Sequence, residues 1–376
     1  MKIYLVGGAV RDLLLGRQAH DRDFVVEGAT PEEFQAAFPK AIPVGKAFEV
    51  FLIDHEEYAL LRDSDIHADL MARDLTINAM ALDTAETGAC CIIAHPNAIA
   101  DLADLILRPA SDTAFSTDPV RVFRAARFFA EFPTATPHIS LHQLMHAAAQ
   151  AHLLSTVASE RVCAETRKAL VTARPDRFFQ LLADTACLSP WFAELVRSDT
   201  IPAGPPQYHD GSVFQHTLEV MRRLAGNPLQ VWMGLCHDLG KTITPSACWP
   251  HHYRHDHYGI DLAQNLGKRL GMPNKYIQAG MTAAADHMRV GKYDTLRPGT
   301  RVDLLDRLHR KNCVDDMIAL AKADHGHDVA GAMKRDLAVM LSIRLPEEAR
   351  NKGLESGNRL RELRCEAVAQ SMKTII

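Results

Sequence analysis

Residues 3–26 of the chain read IYLVGGAVRDLLLGRQAHDRDFVV, and this stretch decides the fold of the N-terminal part. The apolar run before the paired glycines is typical of a buried strand. The glycines are typical of a turn that opens a short helix, and the final FVV is typical of a second strand. Asp21 and Asp23 are two residues apart, so in a strand their side chains project from the same face. We therefore predict a small α/β unit that presents two carboxylates close to a glycine turn.

The pair of carboxylates predicts a site for divalent cations. Two adjacent carboxylates repel each other unless a cation lies between them, and ligation by oxygen alone suits Mg²⁺. The turn at Gly7-Gly8 offers backbone N–H groups and the start of a helix, which suit phosphate. Carboxylates, Mg²⁺ and a phosphate site together indicate phosphoryl or nucleotidyl transfer. An Asp-x-Asp pair by itself is more often a solvated strand edge, and the glycine turn is what favours the catalytic interpretation.

The chain as a whole has 376 residues, which favours two to four domains over a single core. Because its net charge is −4, a nucleic-acid partner has to be held by a local basic patch. The eight cysteines form no C-x-x-C pair, no signal h-region opens the chain, and no apolar run reaches about 18 residues. We therefore expect a protein of the reducing cytoplasm without a membrane partner.

Two further regions near the N-terminus carry candidate residues. A hairpin is predicted around residues 54–57, between two apolar runs. Arg73 follows in the run MARDLTINAMA, beside Asp74. It is either a clamp for phosphate oxygens, which match the guanidinium fork, or half of a surface ion pair that contributes little. The spacing supports both interpretations equally.

A helix is predicted to begin with a cap and a proline at residues 116–119. Asp118, Arg121 and Arg124 share one broad face of it. An arginine fork and a carboxylate acceptor can pair with the edge of a nucleotide base as a second base would. The alternative is a solvated charged face, and the spacing again supports both.

Histidines are concentrated between residues 209 and 327. His237 and Asp238 are adjacent, and His216 lies on a separate predicted helix, so the three converge only if these helices pack together. Neutral imidazoles and carboxylates are good ligands for Mn²⁺, Ni²⁺, Fe or Zn²⁺. A lone core histidine is usually structural, but an adjacent His-Asp pair in such a cluster favours a metal site. Further candidate ligands are His251, His252, His255, His257, His287 and Asp324.

Six segments taken together resemble the class II tRNA nucleotidyltransferases, and among them the bacterial CCA-adding enzymes with an HD domain. In the family's order they are KIYLVGGAVRDLLLG, DRDFVV, HEEYAL, RDLTINAMA, DPVRVFRAARF and LCHDLGK. The resemblance covers about residues 1–330. It implies an α+β fold: a small nucleotidyltransferase α/β head (1–108), an all-helical neck and body (109–200), a helical HD domain (207–330) and a helical tail (331–376).

The resemblance also implies roles for residues of the head and neck. Asp21 and Asp23 would be catalytic and would bind two Mg²⁺ ions, one activating the 3′-hydroxyl of a tRNA and the other holding the triphosphate. Selection of CTP or ATP by protein side chains would need no nucleic-acid template, and the tRNA would be held by its shape and backbone. The residues implied in nucleotide binding are Gly8, Arg11, Arg73, Asp118, Arg121 and Arg124.

For the second domain the resemblance implies an HD metal site. Its ligands would be His216, His237, Asp238 and Asp324, with His255 and His287 as ligands of a second ion. In the family this domain supports metal-dependent phosphatase, 2′-nucleotidase and 2′,3′-cyclic phosphodiesterase activity, with Ni²⁺ favoured. Such activities would act on damaged tRNA ends. The sequence leaves open whether the chain works as a monomer or a homodimer.

The segment between Arg62 and Arg73 departs from the family pattern. Ten residues separate the two arginines, whereas CCA-adding relatives have a longer flexible loop there that helps the change from C to A addition. Relatives that add only the two Cs lack much of that loop. Smaller departures are Ala72, His95 and Thr117, where the family usually has Arg, Asp and Glu. Three alternatives therefore stand beside CCA addition: CC addition alone, poly(A) synthesis, and tRNA binding without catalysis.

Overall fold

The structure is a computed structural model that describes residues 1–19, 22–44, 50–61, 65–85, 91–207 and 211–373. The chain folds as two compact units. The first comprises Met1–Glu165 and Arg177–Pro190, and the second comprises Thr166–Asp176 and Trp191–Ile376. A mixed sheet lies in the first unit and helices dominate the rest, so the predicted α+β fold is confirmed. The domain boundaries expected after residues 108, 200 and 330 stay predictions.

The first unit is built on a seven-stranded mixed sheet. Its strands are β1 (Lys2–Val6), β2 (Asp23–Glu27), β3 (Ile42–Val44), β4 (Val50–Ile53), β5 (Glu56–Leu60), β6 (Met80–Asp83) and β7 (Ile92–Ala94). They lie in the order β3-β4-β5-β2-β1-β6-β7, and each neighbouring pair is antiparallel except β2 and β5, which are parallel. β1 and β2, which flank the glycine turn and the carboxylates, are therefore central strands with a partner on each side.

Short helices cover both faces of this sheet. They are α1 (Gly8–Leu14), α2 (Pro31–Ala37) and α3 (Ile66–Met71). Ile66 and Leu70 of α3 pack with Val25 on one face. Phe34 of α2 packs with Val26 on the other face. Because side chains alternate along a strand, β2 supplies one apolar residue to each core, and this double burial fixes its position.

After the sheet the chain is mainly helical. Its elements are α4 (Ala98–Ala103), β8 (Ile106–Leu107), α5 (Ala114–Thr117), α6 (Arg121–Glu131), β9 (Thr136–Pro137), α7 (Ile139–Gln150), α8 (Ser159–Leu170) and α9 (Pro175–Asp184). β8 and β9 form a small parallel sheet. α6 buries an apolar side and turns its arginines to the other side, as its sequence pattern predicts.

The second unit continues with eight helices in the part of the chain that the structure describes. They are α10 (Val213–Arg223), α11 (Pro228–Cys236), α12 (His255–Leu270), α13 (Asn274–Gly291), α14 (Pro298–Arg310), α15 (Val314–His325), α16 (Ala330–Ser342) and α17 (Leu354–Lys373). A 3₁₀ segment, Leu239–Ile243, follows α11. Across the described ranges, no helix combines the length and apolar character needed to cross a membrane.

Two local predictions are right in kind and wrong in detail. The predicted hairpin of β4 and β5 is present, but its turn consists of Asp54 and His55 alone, with φ of 50° and 72°, so Glu56 and Glu57 belong to β5. The helix predicted after Pro119 is present as α6 and begins at Arg121, but Asp118, expected on its face, precedes it in an extended conformation with φ −146° and ψ 94°. The physical reason is Pro119, because the residue before a proline is pushed away from the helical region.

Candidate active site and metal centre

Asp23 is placed by the register of two central strands. β1 and β2 pair so that Val6 lies opposite Asp23, with Cα atoms about 4.5–5.5 Å apart in such pairs. Gly7 begins the turn one residue further along, so the Asp23 carboxylate and the glycine turn occupy the same end of the sheet. Asp21, the other predicted metal ligand, lies outside the described residues.

A third carboxylate belongs to this end of the sheet, and the sequence analysis missed it. The parallel pairing of β2 with β5 places Glu57 beside Asp23. Paired residues on adjacent strands lie about 4.8 Å apart and present their side chains on the same face. Both side chains are exposed. The HEEYAL run held the signal, but placing Glu57 in the hairpin turn removed it from the strand.

Gly7 allows a guanidinium to approach the turn. Its φ is +69°, a conformation that favours glycine. A Cβ atom at Gly7 would lie 2.8 Å from Nη1 of Arg73, so the absence of a side chain creates the space for that arginine. Arg73 donates from Nε and Nη2 to Oδ2 of Asp69 at 3.0 and 2.8 Å. The arginine predicted to clamp phosphate is therefore oriented by Asp69 and lies against the glycine turn.

Arg11 connects helices α1 and α6. Its Nη1 donates to Oδ1 of Asn78 at 2.7 Å, and its Nε donates to Oδ1 of Asp12 at 2.9 Å. Its guanidinium carbon lies 5.2 Å from the ring centroids of both Phe128 and Phe132. Arg11 is buried in this setting. Gly8 lies in contact with it, since a Cβ at that position would be 3.6 Å from Nη2 of Arg11.

Arg121 and Arg124 contact the segment that carries Arg73. Nη1 of Arg121 donates to the carbonyl oxygen of Ala114 at 3.2 Å and lies 3.5 Å from that of Arg73. Nε of Arg124 donates to Oδ2 of the buried Asp74 at 2.8 Å. Arg121 thus contacts the backbone of Arg73 and Arg124 has a protein carboxylate as its partner, so a shared nucleotide pocket for the three arginines stays a prediction.

Asp118 is held by a residue that the sequence analysis did not single out. Nη1 and Nη2 of Arg161, on α8, donate to Oδ1 and Oδ2 of Asp118 at 2.9 and 2.8 Å. Such bidentate ion pairs fix the orientation of a carboxylate as well as its position. Arg161 is 43 residues away in sequence, so only the packing of α8 on the end of α6 could reveal it.

Asp74 is the buried carboxylate that orders this region. Burial alone would raise its pKa, but Arg124 and the hydrogen bonds from Asn78 and from the Leu75 N–H outweigh burial, and its pKa lies below the usual value. The distances from Asp74 to its Asn78 and Leu75 donors are 3.1 and 2.8 Å. The carboxylate is therefore ionised at neutral pH and joins the loop before β6 to α6.

The histidine-rich part of the chain forms a second, buried cluster. Four helices and one helix end each contribute ligand-type side chains. They are His216 on α10, His237 and Asp238 at the end of α11, His255 at the start of α12, His287 on α13 and Asp324 on α15. The sequence predicted that His216, His237 and Asp238 converge only if their helices pack together, and in the structure these residues lie together. His251 and His257, named as further candidates, are exposed, and His252 bonds to Thr244 and to the Pro202 carbonyl oxygen.

One half of the cluster surrounds Oδ2 of Asp238. Nε2 of His237 lies 3.2 Å from this oxygen and Nε2 of His216 lies 3.6 Å from it. Nε2 of His216 also lies 3.0 Å from Oδ1 of Asp324. His216, His237 and Asp238 thus offer ligand atoms that all lie within 4.8 Å of one another.

The other half surrounds Oδ1 of Asp238. Nε2 atoms of His255 and His287 lie 3.5 and 3.4 Å from this oxygen and 3.1 Å from each other. These three residues form a second group with ligand atoms within 4.8 Å. Because Asp238 presents a different oxygen to each group, its carboxylate would be able to supply a ligand in both.

The tautomers of the histidines fit ligation at Nε2. Nδ1 of His237 lies 2.7 Å from the Gly234 carbonyl oxygen, Nδ1 of His255 lies 2.7 Å from that of His252, and Nδ1 of His287 lies 3.0 Å from that of Ala283. Carbonyl oxygens only accept, so each Nδ1 carries a proton, and in the neutral ring Nε2 presents a lone pair inward.

Nε2 of His255 and Nε2 of His287 face one another and Oδ1 of Asp238. Oδ1 of Asp238 is buried and has no hydrogen-bond donor among the described residues. Acceptors packed together without a proton repel, and a divalent cation among them removes the repulsion. Imidazole nitrogens and carboxylate oxygens are the donor set of transition metals, so these residues fit such an ion.

The electrostatics of the cluster are dominated by its two carboxylates. Burial alone would lower the pKa of His237, but Asp238 and Asp324 raise it to about 9, so this imidazole is charged at neutral pH and a bound cation would have to replace the proton on its Nε2. Burial lowers the pKa of His255 to about 4, so this imidazole is neutral. Nζ of Lys241 lies 2.6 Å from Oδ2 of Asp238 and supplies the one buried ammonium group beside it in the described chain.

Comparison with known families matches two parts of this chain. Residues 3–61 match the family described as "Poly A polymerase head domain". Residues 142–197 match the family described as "Probable RNA and SrmB- binding site of polymerase A". The first match contains the glycine turn, Asp23 and Glu57, and Arg73, Arg121 and Arg124 lie outside it.

Several solved structures share the fold over nearly the whole chain. The "Thermotoga maritima CCA-adding enzyme complexed with tRNA_CCA" is 18% identical with a TM-score of 0.69, covering 100% of this chain and 92% of that one. "The complex structure of CCA-adding enzyme with ATP" is 19% identical with a TM-score of 0.69, covering 99% and 86%. The "Structure of tRNA-processing enzyme complex 3" is 21% identical with a TM-score of 0.64, covering 98% and 97%. The chain therefore shares the fold of these CCA-adding and tRNA-processing enzymes, as the resemblance seen in the sequence implied, and the HD domain stays a prediction.

Proposed function

We propose that this chain is a tRNA nucleotidyltransferase that adds and repairs the 3′-terminal CCA of tRNA. It would use CTP and ATP and would need no nucleic-acid template. The observation that carries the proposal is the strand register that places Asp23 beside the glycine turn, with Arg73 against that turn. The solved structures with this fold include CCA-adding enzymes with tRNA, ATP and CTP.

The candidate residues of the head form two groups, one that would bind metal and one that would bind phosphate. Asp23 and Glu57, with Asp21 as proposed from the sequence, form an all-oxygen set that fits Mg²⁺. Mg²⁺ bound there would activate the 3′-hydroxyl and neutralise the triphosphate. Arg73 would hold the phosphates against the turn. The 3′-hydroxyl gives up its proton to water, its oxygen forms a bond to the α-phosphorus, the bond from that phosphorus to the bridging oxygen breaks, and pyrophosphate leaves.

Asp118 and Arg121 would select the base. Cytosine and adenine both present an amino donor beside a ring acceptor, whereas guanine and uracil present a carbonyl oxygen in that place. A carboxylate acceptor next to a guanidinium donor therefore accepts C and A and rejects G and U. Arg161 would act as a positioning residue, since its two-pronged pair with Asp118 fixes the direction of the carboxylate.

The experiment is extension of a tRNA that ends at the discriminator base, with CTP, ATP or both, resolved to single nucleotides. Three added residues ending in A support CCA addition. A stop after two Cs means a CC-adding enzyme, and a long A tail means a poly(A) polymerase. Binding of the tRNA without any addition would leave a non-catalytic binding module. Asp23→Asn is the control that has to abolish every extension product.

We propose a second activity for the histidine cluster, as a metal-dependent phosphohydrolase of an HD domain at residues 207–330. The observation that favours it is the pair of ligand groups that share Asp238. Ni²⁺ or another divalent transition metal bound there would activate water and polarise a phosphate. In a 2′,3′-cyclic phosphate the water oxygen bonds to phosphorus, one bond from phosphorus to a ribose oxygen breaks, and that oxygen takes up a proton.

His237→Ala tests this second activity. Hydrolysis of 2′,3′-cyclic AMP with added Ni²⁺ is expected to fall to background, while CTP addition to tRNA stays at the level of the unchanged protein. Asp23→Asn is the reciprocal control and has to keep the hydrolysis. Equal loss of both activities in His237→Ala, with a folded protein by circular dichroism, would contradict two independent sites.

The proposed setting is the cytoplasm, where tRNA is processed. No disulfide joins the cysteines of the described residues, which agrees with a reducing compartment.

A further inference from the structure

The segment 251–258, which enters helix α12, exposes aromatic and basic side chains next to the histidine cluster. Tyr253 is 69% exposed and Tyr258 is 37% exposed. The rings of His251 and Tyr253 are stacked, with centroids 6.0 Å apart and planes at 22°. The guanidinium carbon of Arg254 lies 6.0 Å from the ring centroid of Tyr258. Large exposed tyrosines are unfavourable in water, so two of them with basic neighbours indicate a binding surface.

The same segment carries a ligand of the proposed metal centre. His255 is the first residue of α12 and points inward, and the left-handed conformation of Arg254, with φ +62°, separates it from the outward Tyr253. The Cα atoms of Tyr253 and His255 are at most about 7.6 Å apart, because consecutive Cα atoms are about 3.8 Å apart. Tyr258 follows His255 by three residues, so it shares that face of the helix.

His255 is one of the more exposed members of the histidine cluster. The side chains of His216 and His255 are 9% and 10% exposed, whereas those of His237, Asp238 and His287 are 2% exposed or less. Because Tyr253 and Arg254 directly precede His255 in the chain, a group attached to a phosphate bound beside His255 would lie near them.

We propose that Tyr253, backed by His251, is a stacking platform for the terminal base of a single-stranded RNA end whose phosphate enters the histidine cluster. Bases stack on aromatic side chains, and arginine and imidazole favour the adjacent phosphate. The proposal rests on the phosphohydrolase activity proposed above and names its substrate class. Tyr253 is a specificity-determining residue for substrates that carry a base.

The test compares two cyclic phosphates with and without a base. The substrates are 2′,3′-cyclic AMP and 1-O-methylribose 2′,3′-cyclic phosphate, hydrolysed by the full chain with added Ni²⁺. Stacking contributes about 1–3 kcal/mol per base, so in Tyr253→Ala the ratio of the two kcat/KM values falls about 10-fold, through KM for the nucleotide. Tyr253→Phe keeps the ring and the ratio. Leu354→Ala, which removes an apolar side chain that is 86% exposed, is the matched control.

An unchanged ratio of the two kcat/KM values in Tyr253→Ala would overturn the platform, whether both values stay the same or both fall equally. A second measurement separates this outcome from failure of the phosphohydrolase proposal. A short single-stranded RNA with 2-aminopurine at its 3′ end is titrated with each protein, and stacking quenches its fluorescence. Quenching that is lost in Tyr253→Ala and kept in Tyr253→Phe supports the platform even if neither substrate is hydrolysed. Equal quenching by all three proteins overturns it.

Discussion

At the level of single residues, Glu57 shows how the sheet brings together groups that the sequence keeps apart. It is 34 positions from Asp23, yet parallel pairing of β2 and β5 sets the two side by side. We expect Glu57→Gln to lower kcat for CTP addition about 10-fold or more, because the carboxylate contributes charge to the Mg²⁺ site. The measurement is single-turnover addition over a range of Mg²⁺ concentrations, where the variant needs more Mg²⁺.

Glu56→Gln is the control for this prediction. Glu56 is the neighbouring residue on β5, and it pairs with Arg22 at 3.2 Å on the other face of the strand. Its loss is expected to change kcat by less than about 2-fold, since an exposed ion pair contributes little. Equal effects of the two variants would exclude a specific part for Glu57 in metal binding.

The ionised Asp74 carboxylate predicts how the free energy of unfolding depends on pH. Its folded-state pKa lies below the unfolded value of about 3.9, so its stabilising contribution is complete above that value and is lost as pH falls through the folded pKa. We expect Asp74→Asn to reduce the free energy of unfolding by about 2 kcal/mol at pH 7, because Arg124 loses its charged acceptor. The difference from the unchanged protein shrinks below about pH 4.

Urea unfolding at a series of pH values between 3 and 7 measures this difference. Asp112→Asn, at an exposed position, is the matched control and is expected to follow the unchanged protein. An Asp74→Asn curve that runs parallel to that of the unchanged protein down to pH 3 would refute the ionised Asp74–Arg124 pair.

At the level of elements, a glycine determines how closely α12 approaches the end of α11. A Cβ at Gly240 would lie 1.9 Å from the carbonyl oxygen of His255 and 2.6 Å from the Gly259 nitrogen. Gly240→Ala therefore separates the 3₁₀ segment from α12 and moves His255 away from Asp238. We expect a loss of about 1–3 kcal/mol in the free energy of unfolding, and a weaker affinity for Ni²⁺.

Calorimetric titration with Ni²⁺, together with thermal unfolding, measures both effects. Gly331→Ala is the matched control, since a Cβ at that helical position meets no atom within 4 Å. That variant is expected to be neutral or slightly stabilising. Unchanged Ni²⁺ affinity in a folded Gly240→Ala would show that the approach of α12 is not what forms the second ligand group.

Elements whose signals are local follow rules that can be applied to the sequence alone. Thr30 caps α2 by accepting from the Glu33 N–H at 3.2 Å, and Pro31 occupies the first turn, as is typical of a Thr-Pro-x-Glu run. Asp118 was wrongly placed on the face of α6 because the restriction that Pro119 imposes on it was overlooked. Cap, turn and alternation rules act over a few residues, so they reach no further than one element.

At the level of the whole molecule, the fold class and most candidate residues of the histidine cluster could be named from sequence, but their pairing could not. Long-range partners such as Arg161 with Asp118, or Glu57 with Asp23, depend on which helices and strands pack together. That choice is made by the summed burial of apolar faces over the chain. No spacing rule carries this information, which is why Arg161 and Glu57 were missed.

Metal binding is expected to change the thermal stability of the second unit and not that of the first. A ligand that binds only the folded state stabilises it by RT ln(1 + [L]/Kd), about 2.7 kcal/mol at 100 times Kd. Ni²⁺ is therefore expected to raise the thermal midpoint of the second unit, which holds all six ligand residues, and EDTA to lower it again. Asp238 is the residue that both candidate ligand groups share, so Asp238→Asn has to abolish the Ni²⁺-dependent shift, whereas Asp23→Asn in the head has to leave it intact. A shift that persists in Asp238→Asn would place the ion elsewhere on the chain. Scanning calorimetry of the full chain, with and without Ni²⁺, distinguishes these outcomes and also shows whether the head unfolds in a separate transition.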